Sequence, residues 1–505
     1  MKRILTLLVA CVASISMWAV QVDCTPGNLE NLIDDTSITT LTITGTIDAR
    51  DFKFIAKSLN NIETLDLSGA EVAAFSDPKS PVFMSITSYD SQAIPATAFM
   101  GKKLSTVILP EGLTKIGSAA FAGCHNLENI TFPSSLEIIE PYAFSSCNNL
   151  SSVTIPTGLQ ELGEGAFSRC KGLESATINP DDSFTVGKDA FQDCSALANV
   201  TLGNNVTTIG PGAFSGCTSL TSPTISNNSN LTTIAEAAFA ASGVEEIALN
   251  RCNGLTTIGM WAFANTPLNS VTLPESLESL GDGAFYYNLN LEQIDLPSGI
   301  SSISNYLLAG NNAIDMEQLV KDGAKNGVTS IGDYAFYNWD QIREFTFPES
   351  VEYVGTMAMA GQTSLERVTA YPTTVPALGD SVWAGVDQSS IPLITDPSVA
   401  DDYATAEQWK EFIIEQDSPP TSIDKTLADN DLQVKAHFEG TMLIVNASTA
   451  IAKVSIFDIN GVLLSTAMPA SEQAQLNTAN FNGKFYIVNV ILEGGSQRSF
   501  KLLRK

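Results

Sequence analysis

Positive charge is scarce in this chain: 26 lysines and arginines stand against 55 aspartates and glutamates in 505 residues, a net charge of −29. Such a surface repels a phosphate backbone, so nucleic acid is excluded as the partner. Histidine is rarer still, with two residues. His125 and His437 fall in regions of different pattern, which leaves no basis for a histidine triad or a histidine-rich metal site. Beyond the first twenty residues no stretch reaches the roughly 18 unbroken apolar residues of a membrane span. No glycine-rich phosphate loop stands at a strand-to-helix junction. Asp181-Asp182 and Asp401-Asp402 lack the spaced oxygen ligands of a calcium loop. Acids are plentiful enough for a glycosidase pair, but those in repeated positions vary along the chain and nothing draws two into one pocket. No catalytic residue, metal or cofactor is expected.

The N-terminus carries Lys2 and Arg3, then an apolar run from Ile4 to Val20 with Ala19 as a cleavage point, which reads as a secretory signal peptide. Leu8 to Cys11 also spell a lipoprotein-type processing site, but Cys11 comes early and apolar residues continue past it. Removing Lys2 and Arg3 takes the charge from −29 to −31. The expected localisation is secreted or at the outer cell surface.

What is abundant is repetition. An aromatic or apolar residue recurs at Phe99, Phe121, Phe144, Phe167, Phe191, Phe214, Phe239, Phe263, Phe285, Leu308, Phe336 and Met359, mostly 22 to 25 residues apart. That period is the signature of a solenoid. Each is followed by a segment such as "LENITFP" or "LNSVTLP", whose last apolar pair alternates as a strand does around one outward residue. A second short extended piece follows, as in "VTTIG" and "LTTIG". Each coil is therefore strand, turn, short extended piece and tight apolar corner, about twelve main coils in all.

The pattern Leu-x-x-Val-x-Ile-Pro-x-x-Leu-x-x-Ile-Gly-x-x-Ala-Phe-x-x-Cys resembles the BspA-like leucine-rich repeat family of bacterial surface proteins over roughly residues 90 to 395. The resemblance implies an α/β repeat solenoid, mostly short parallel strands with irregular corners, and adhesion to host extracellular proteins or other cells. "LTITGTI" and "IETLDLSGA" between Thr40 and Ala70 resemble the family's opening coils. "EVAAFSDPKSPVFMSITSYDSQ" then reads as a surface loop. "MEQLVKDGAK" reads as a helical turn or insertion, and "DDYATAEQWKEF" as part of the cap a solenoid needs over its last apolar face.

Cys124, Cys147, Cys170, Cys194 and Cys217 occupy one slot, which holds Ser242, Thr266, Asn288, Trp339 and Gln362 in other coils. This variation speaks for architecture, with no chemistry shared by the slot. Equivalent positions about 4.8 Å apart suit the Cα separation of a disulfide, yet parallel side chains hold the Cβ atoms farther apart than a disulfide prefers. Seven cysteines after signal removal, an odd number, also spoil complete pairing. The reading is a ladder of buried free thiols behaving as small apolar residues, with disulfides or metal as the alternative.

From Leu427 the pattern changes to longer alternating strands, with turns at Asn460-Gly461, Asn482-Gly483 and Gly494-Gly495, as in a small antiparallel β-sandwich. "VSIFDINGVLL", "FNGKFYIVNV" and the basic ending Lys501, Arg504, Lys505 resemble the C-terminal sorting domains of the type IX secretion system of Bacteroidetes. That resemblance implies delivery to, or tethering at, the outer surface. The expected organisation is a signal peptide (1–19), an N-terminal cap and opening repeats (20–89), the solenoid with its C-terminal cap (90–415), a linker (416–426) and the all-β module (427–505).

The outward strand position is Thr131, Thr154, Thr177, Thr201, Thr224 and Thr272, interrupted by Ala248 and Asp295, with Asn or Ser two residues earlier in most coils. Threonine suits an exposed strand for stability alone, and such a hydroxyl-rich face also offers an extended partner many weak hydrogen bonds. Tyr286 and Tyr287 stand where other coils carry Ala122, Gly123, Ser145 and Ser146, which makes them candidates for contact. Trp261, Tyr334 and Trp339 read as packing. The expected function is a monomeric, non-catalytic scaffold binding host or cell-surface proteins. Capture or processing of surface glycans is the alternative.

Overall fold

The computed structural model describes residues 19–79, 82–83, 86–225, 228–311, 327–416, 434–439, 441–457, 463–479, 481, 485–492 and 497–503. The chain divides into two compact units, Met1–Pro419 and Pro420–Lys505. Residues 1–18 of the signal segment, Cys11 among them, "MEQLVKDGAK" and the linker from 417 onward lie outside the described residues, while Ala19 begins the strand Ala19–Cys24.

The first unit is a parallel solenoid of about 16 turns with little helix. Its main face stacks short strands in runs of five, four, three and four among the described residues. A typical run pairs Ser152–Ile155, Ser175–Ile178, Asn199–Leu202 and Thr224–Ile225 in register. Alternation does the expected work: Val153 and Ile155 point inward and are buried, while Thr154 between them is exposed. Two-residue strands such as Thr233–Ile234 and Thr257–Ile258 form a second parallel face.

The corners close the coil. Eight phenylalanines from Phe121 to Phe285 stack in one column, with centroids 5.0 to 5.6 Å apart and interplanar angles of 3° to 14°. Backbone bonds tie this column together: Phe121 N–H donates to Ala143 O (2.7 Å), Phe144 to Ala166 (2.7 Å) and Phe167 to Ala190 (2.8 Å). The residues two before and two after each phenylalanine also donate forward, as Tyr142 does to Glu164 O and Ser146 to Ser168 O, both at 2.8 Å. Those flanking positions have left-handed backbone in every corner from Phe99 to Trp383, including Ala119, Tyr142, Arg169, Ala241 and Tyr287 with φ of 52° to 59°. Left-handed backbone disfavours side chains that carry a Cβ. Here it is held because it alone turns three N–H groups per corner toward the next coil.

Trp383 continues the column, flanked by left-handed Ser381 and Gly385 and joined to the previous corner by Met359 N–H to Val382 O. The repeat thus runs one corner beyond Met359, where the sequence pattern fades. Two aspects of the reading change at the opening end. The stretch after Val72 is a small packed hairpin as well as a loop: Phe75–Ser76 pairs Ser88–Tyr89, and the Tyr89 hydroxyl sits 2.6 Å from Phe83 N, with Val82 and Phe83 buried. Before it, Ala49–Ser58 is a helix with an Asp48/Asp51 capping box. Buried Asp51 accepts from Gly27 N (2.7 Å), Leu29 N (2.9 Å) and Asp48 N (2.9 Å), closing the first coil. At the other end Gln408 accepts from Val382 N (2.9 Å) and donates to Gly379 O (2.7 Å), beneath buried Tyr403 and Trp409.

The second unit is an antiparallel sheet region built around one long strand, Met442–Phe457. Its first half pairs Lys435–Glu439 and Ser471–Asn477, and its second half pairs Leu463–Ala467 and Phe485–Leu492. This unit has a core of its own, including Leu443, Val445, Val454, Ile456, Tyr486 and Val488.

Ala241 tests the corner geometry because it is exposed and left-handed (φ 53°). Ala241→Gly is expected to stabilise the solenoid by about 0.5 to 1 kcal/mol, relief of the Cβ clash exceeding the entropy glycine loses on folding. Urea unfolding measures it. A lower midpoint would contradict the corner geometry.

Candidate interaction surface

The cysteine slot carries a shared chemistry that its variable composition conceals. Cys124 Sγ lies 3.1 Å from Phe99 O, and Cys147, Cys170, Cys194 and Cys217 repeat the contact at 3.1 to 3.3 Å with the phenylalanine carbonyl one coil earlier. Asn311 (2.8 Å), Gln362 (3.4 Å) and Trp339 donate to the same carbonyl row, while Ser242 and Thr266 satisfy the carbonyl of their own coil. Most occupants are hydrogen-bond donors that fit a buried corner; Asn288 instead accepts from the Thr266 N–H (2.9 Å) and hydroxyl (2.6 Å), and Val386 fills the slot after Trp383. The slot is architecture, as the sequence reading holds, but not for want of common chemistry. The seven cysteines from Cys24 to Cys252 are free and buried. Burial pushes the Cys124 and Cys217 thiols up to about 12.

Among the described residues, no group of three or more histidine, cysteine, aspartate or glutamate side chains is placed to hold a metal ion. His125 is exposed, its Nδ1 2.8 Å from Ser146 O.

The structure brings part of the threonine row together. Thr154, Thr177, Thr201 and Thr224 occupy one unbroken register, all exposed except half-buried Thr177. Thr131 ends the preceding run beside exposed Ile108, and Thr272 lies between Ala248 and Asp295 in the next. The row is therefore a strip of four flanked by single threonines.

Tyr286 and Tyr287 lie on a different side, at the corners. Tyr286 packs against Trp261 (5.0 Å) and Tyr287 (4.7 Å). Trp261 reaches Tyr306 at 6.0 Å, and Tyr306 stacks on Tyr334 at 4.8 Å. Tyr286 is half-buried, and burial raises its phenol pKa; Tyr287 is 39% exposed. Trp339 is buried and packs on Phe336. Tyr306 escaped the sequence reading because Leu308 occupies its coil's aromatic slot. Its position two residues before that slot, shared with Tyr142, Trp261 and Tyr334, was the available signal.

The sequence model of the BspA type leucine rich repeat region matches in six copies, over residues 92–221, 184–315 and 310–396. A search of curated proteins returns no match. Among solved structures, a leucine-rich repeat protein from Bacteroides ovatus is 24% identical, with 66% of this chain and 89% of that one covered at a TM-score of 0.50. A leucine rich cell surface protein from Faecalibacterium prausnitzii is 22% identical over 57% of this chain and 85% of its own, with a TM-score of 0.30. A leucine rich repeat protein from T. pallidum is 25% identical over 40% and 72%, with a TM-score of 0.24. The first of these similarities shows the fold.

Cys170 tests the donor slot. Cys170→Ser retains a donor and is expected to cost about 1 kcal/mol, whereas Cys170→Val leaves the Phe144 carbonyl with only the Cys147 N–H and costs about 1 to 3 kcal/mol. Equal stability of the two variants would remove the donor role. The thiols of Cys124 and Cys217 also set an alkaline limit: their folded pKa values are raised, so their contribution is complete below pH 9 and lost as pH rises toward 12. Chemical unfolding across that window should show falling stability.

Proposed function

Because this chain belongs to the BspA type leucine rich repeat family, we propose that it is a non-catalytic adhesion scaffold displayed at the outer cell surface, binding host or cell-surface proteins through its solenoid. The observation that carries this reading is the form of the solenoid's surface. Its most regular exposed feature is the open register of Thr154, Thr177, Thr201 and Thr224, and repeat solenoids use such extended faces to bind. The aromatic corner around Tyr286 and Tyr287 adds amphipathic contact area of the kind enriched at protein interfaces. The five cysteines of the donor slot are buried against corner carbonyls. Among the described residues, no helix is long and apolar enough to cross a membrane.

The same reading assigns the second unit to delivery. Its separate core supports independent folding, and the sequence resemblance to type IX sorting domains supports a role in export or tethering.

Two measurements test the proposal. The purified chain should bind members of a panel of extracellular matrix proteins and turn over no polysaccharide; hydrolysis of any glycan would replace the scaffold with an enzyme. In the native host, deletion of residues 427–505 should leave a folded solenoid inside the envelope, protected from surface proteolysis. Equal surface exposure of truncated and full-length chains would remove the sorting role and leave adhesion standing.

A further inference from the structure

Six aromatic side chains form one patch across four successive corners. Trp261, Tyr286, Tyr287, Tyr306, Tyr334 and Tyr337 are linked ring to ring at centroid distances of 4.7 to 6.0 Å. None is fully buried. The position of Tyr286 and Tyr337, one after the corner residue, is held elsewhere by Ala122, Ser145, Ser168 and Ser215.

Beside the patch runs an open groove of about 370 Å³, lined by Tyr287, Leu289, Gly310, Asn338, Asp340 and Thr363 among others. Gly310 makes it: a Cβ there would lie 2.6 Å from the Tyr287 ring, which extends over the glycine toward the next coil. Tyr287 is 39% and Leu289 55% exposed. Tyr287 is also left-handed (φ 56°) in a row where the adjoining coils use Asn265, Gly310, Asn338 and Gly361.

Charge fixes the kind of occupant. From Arg251 to Arg343 the sequence has ten acids against two lysines and the two terminal arginines, of which Arg343 pairs with Glu366. Both lysines, Lys321 and Lys325, lie outside the described residues together with three of the acids, Asp315, Glu317 and Asp322. Within the described part, Asp340 lines the groove. Asp282 and Asp333 stand on the same corners as the aromatics, joined through Asn305, which donates to Asp282 and accepts from Asp333 N at 2.8 Å. Tyrosine and tryptophan rings bordered by carboxylates, without a described cation among them, complement lysine and arginine side chains.

We infer that this aromatic corner and its groove dock an extended, cationic segment of a partner protein. The inference rests on the protein-binding reading above and names the chemistry of the partner.

The probe is a fluorescent twelve-residue peptide of alternating lysine and serine, with a glutamate–serine peptide and a neutral oligosaccharide as comparators, each titrated against the purified chain. The lysine peptide should bind best, and more weakly as salt rises. Tyr287→Asn keeps a residue suited to left-handed backbone, and Asp340→Asn removes one exposed charge. Together they should weaken binding about tenfold. Glu137→Gln with Glu161→Gln, two exposed charges on distant coils, should leave it unchanged. Equal weakening by the distant pair would make the attraction diffuse and overturn the inference. So would equal binding of the glutamate peptide, or oligosaccharide binding lost on Tyr287→Asn. Matrix proteins that bind the chain regardless of salt and of both corner substitutions would overturn the inference and leave the scaffold reading intact.

Discussion

Everything in the solenoid depends on the corner backbone, where three N–H groups per coil point forward and find carbonyls in the next coil. An interior corner whose amides faced no partner would bury donors at about 1 to 3 kcal/mol each. The chain accepts left-handed backbone at residues such as Ala119, Arg169 and Tyr287 because those bonds are otherwise lost. Phenylalanine follows from this geometry: coils at hydrogen-bonding distance place successive rings 5.0 to 5.6 Å apart, in one stack. The donor slot follows too, since each phenylalanine carbonyl, which accepts one backbone N–H within its own corner, has a second lone pair that faces the slot of the next coil.

A ladder of this kind has two open ends, and each is closed by side chains standing in for backbone. Asp51 accepts two N–H groups of the first coil, Gln408 bridges two groups of the last corner, and buried Lys102 donates to Leu59 O at 3.1 Å behind the opening helix. Burial holds the Lys102 pKa below its usual value. The stability of such an array is the sum of its coils and their interfaces, so exposed positions can change while the column remains. That separation lets an exposed corner carry an aromatic patch without disturbing the fold.

The coil, its period and the inward strand residues were legible because each rests on apolar side chains recurring at fixed spacing. The left-handed corners were not, because their conformation is imposed by bonds between coils and glycine fills only some of the positions. The sequence did carry a trace in Gly101, Gly123, Asn265, Gly310 and Asn338, all two residues past the corner residue. The cysteine slot was placed correctly and its reason missed: cysteine, serine, asparagine and tryptophan look unrelated until the common acceptor is seen. At the candidate surface, Tyr286 and Tyr287 stood out as departures from small residues. Tyr306 and the Gly310 groove required the coils to be stacked.

Amide hydrogen exchange on the folded chain tests the central claim most directly. If the corners are a hydrogen-bonded ladder, the amides of Phe144, Phe167 and Phe191, and of their neighbours two residues to either side, should be protected as strongly as those of Val153, Ala176 and Val200 in the strands. Corner amides that exchange at loop rates while the strand amides stay protected would contradict the account.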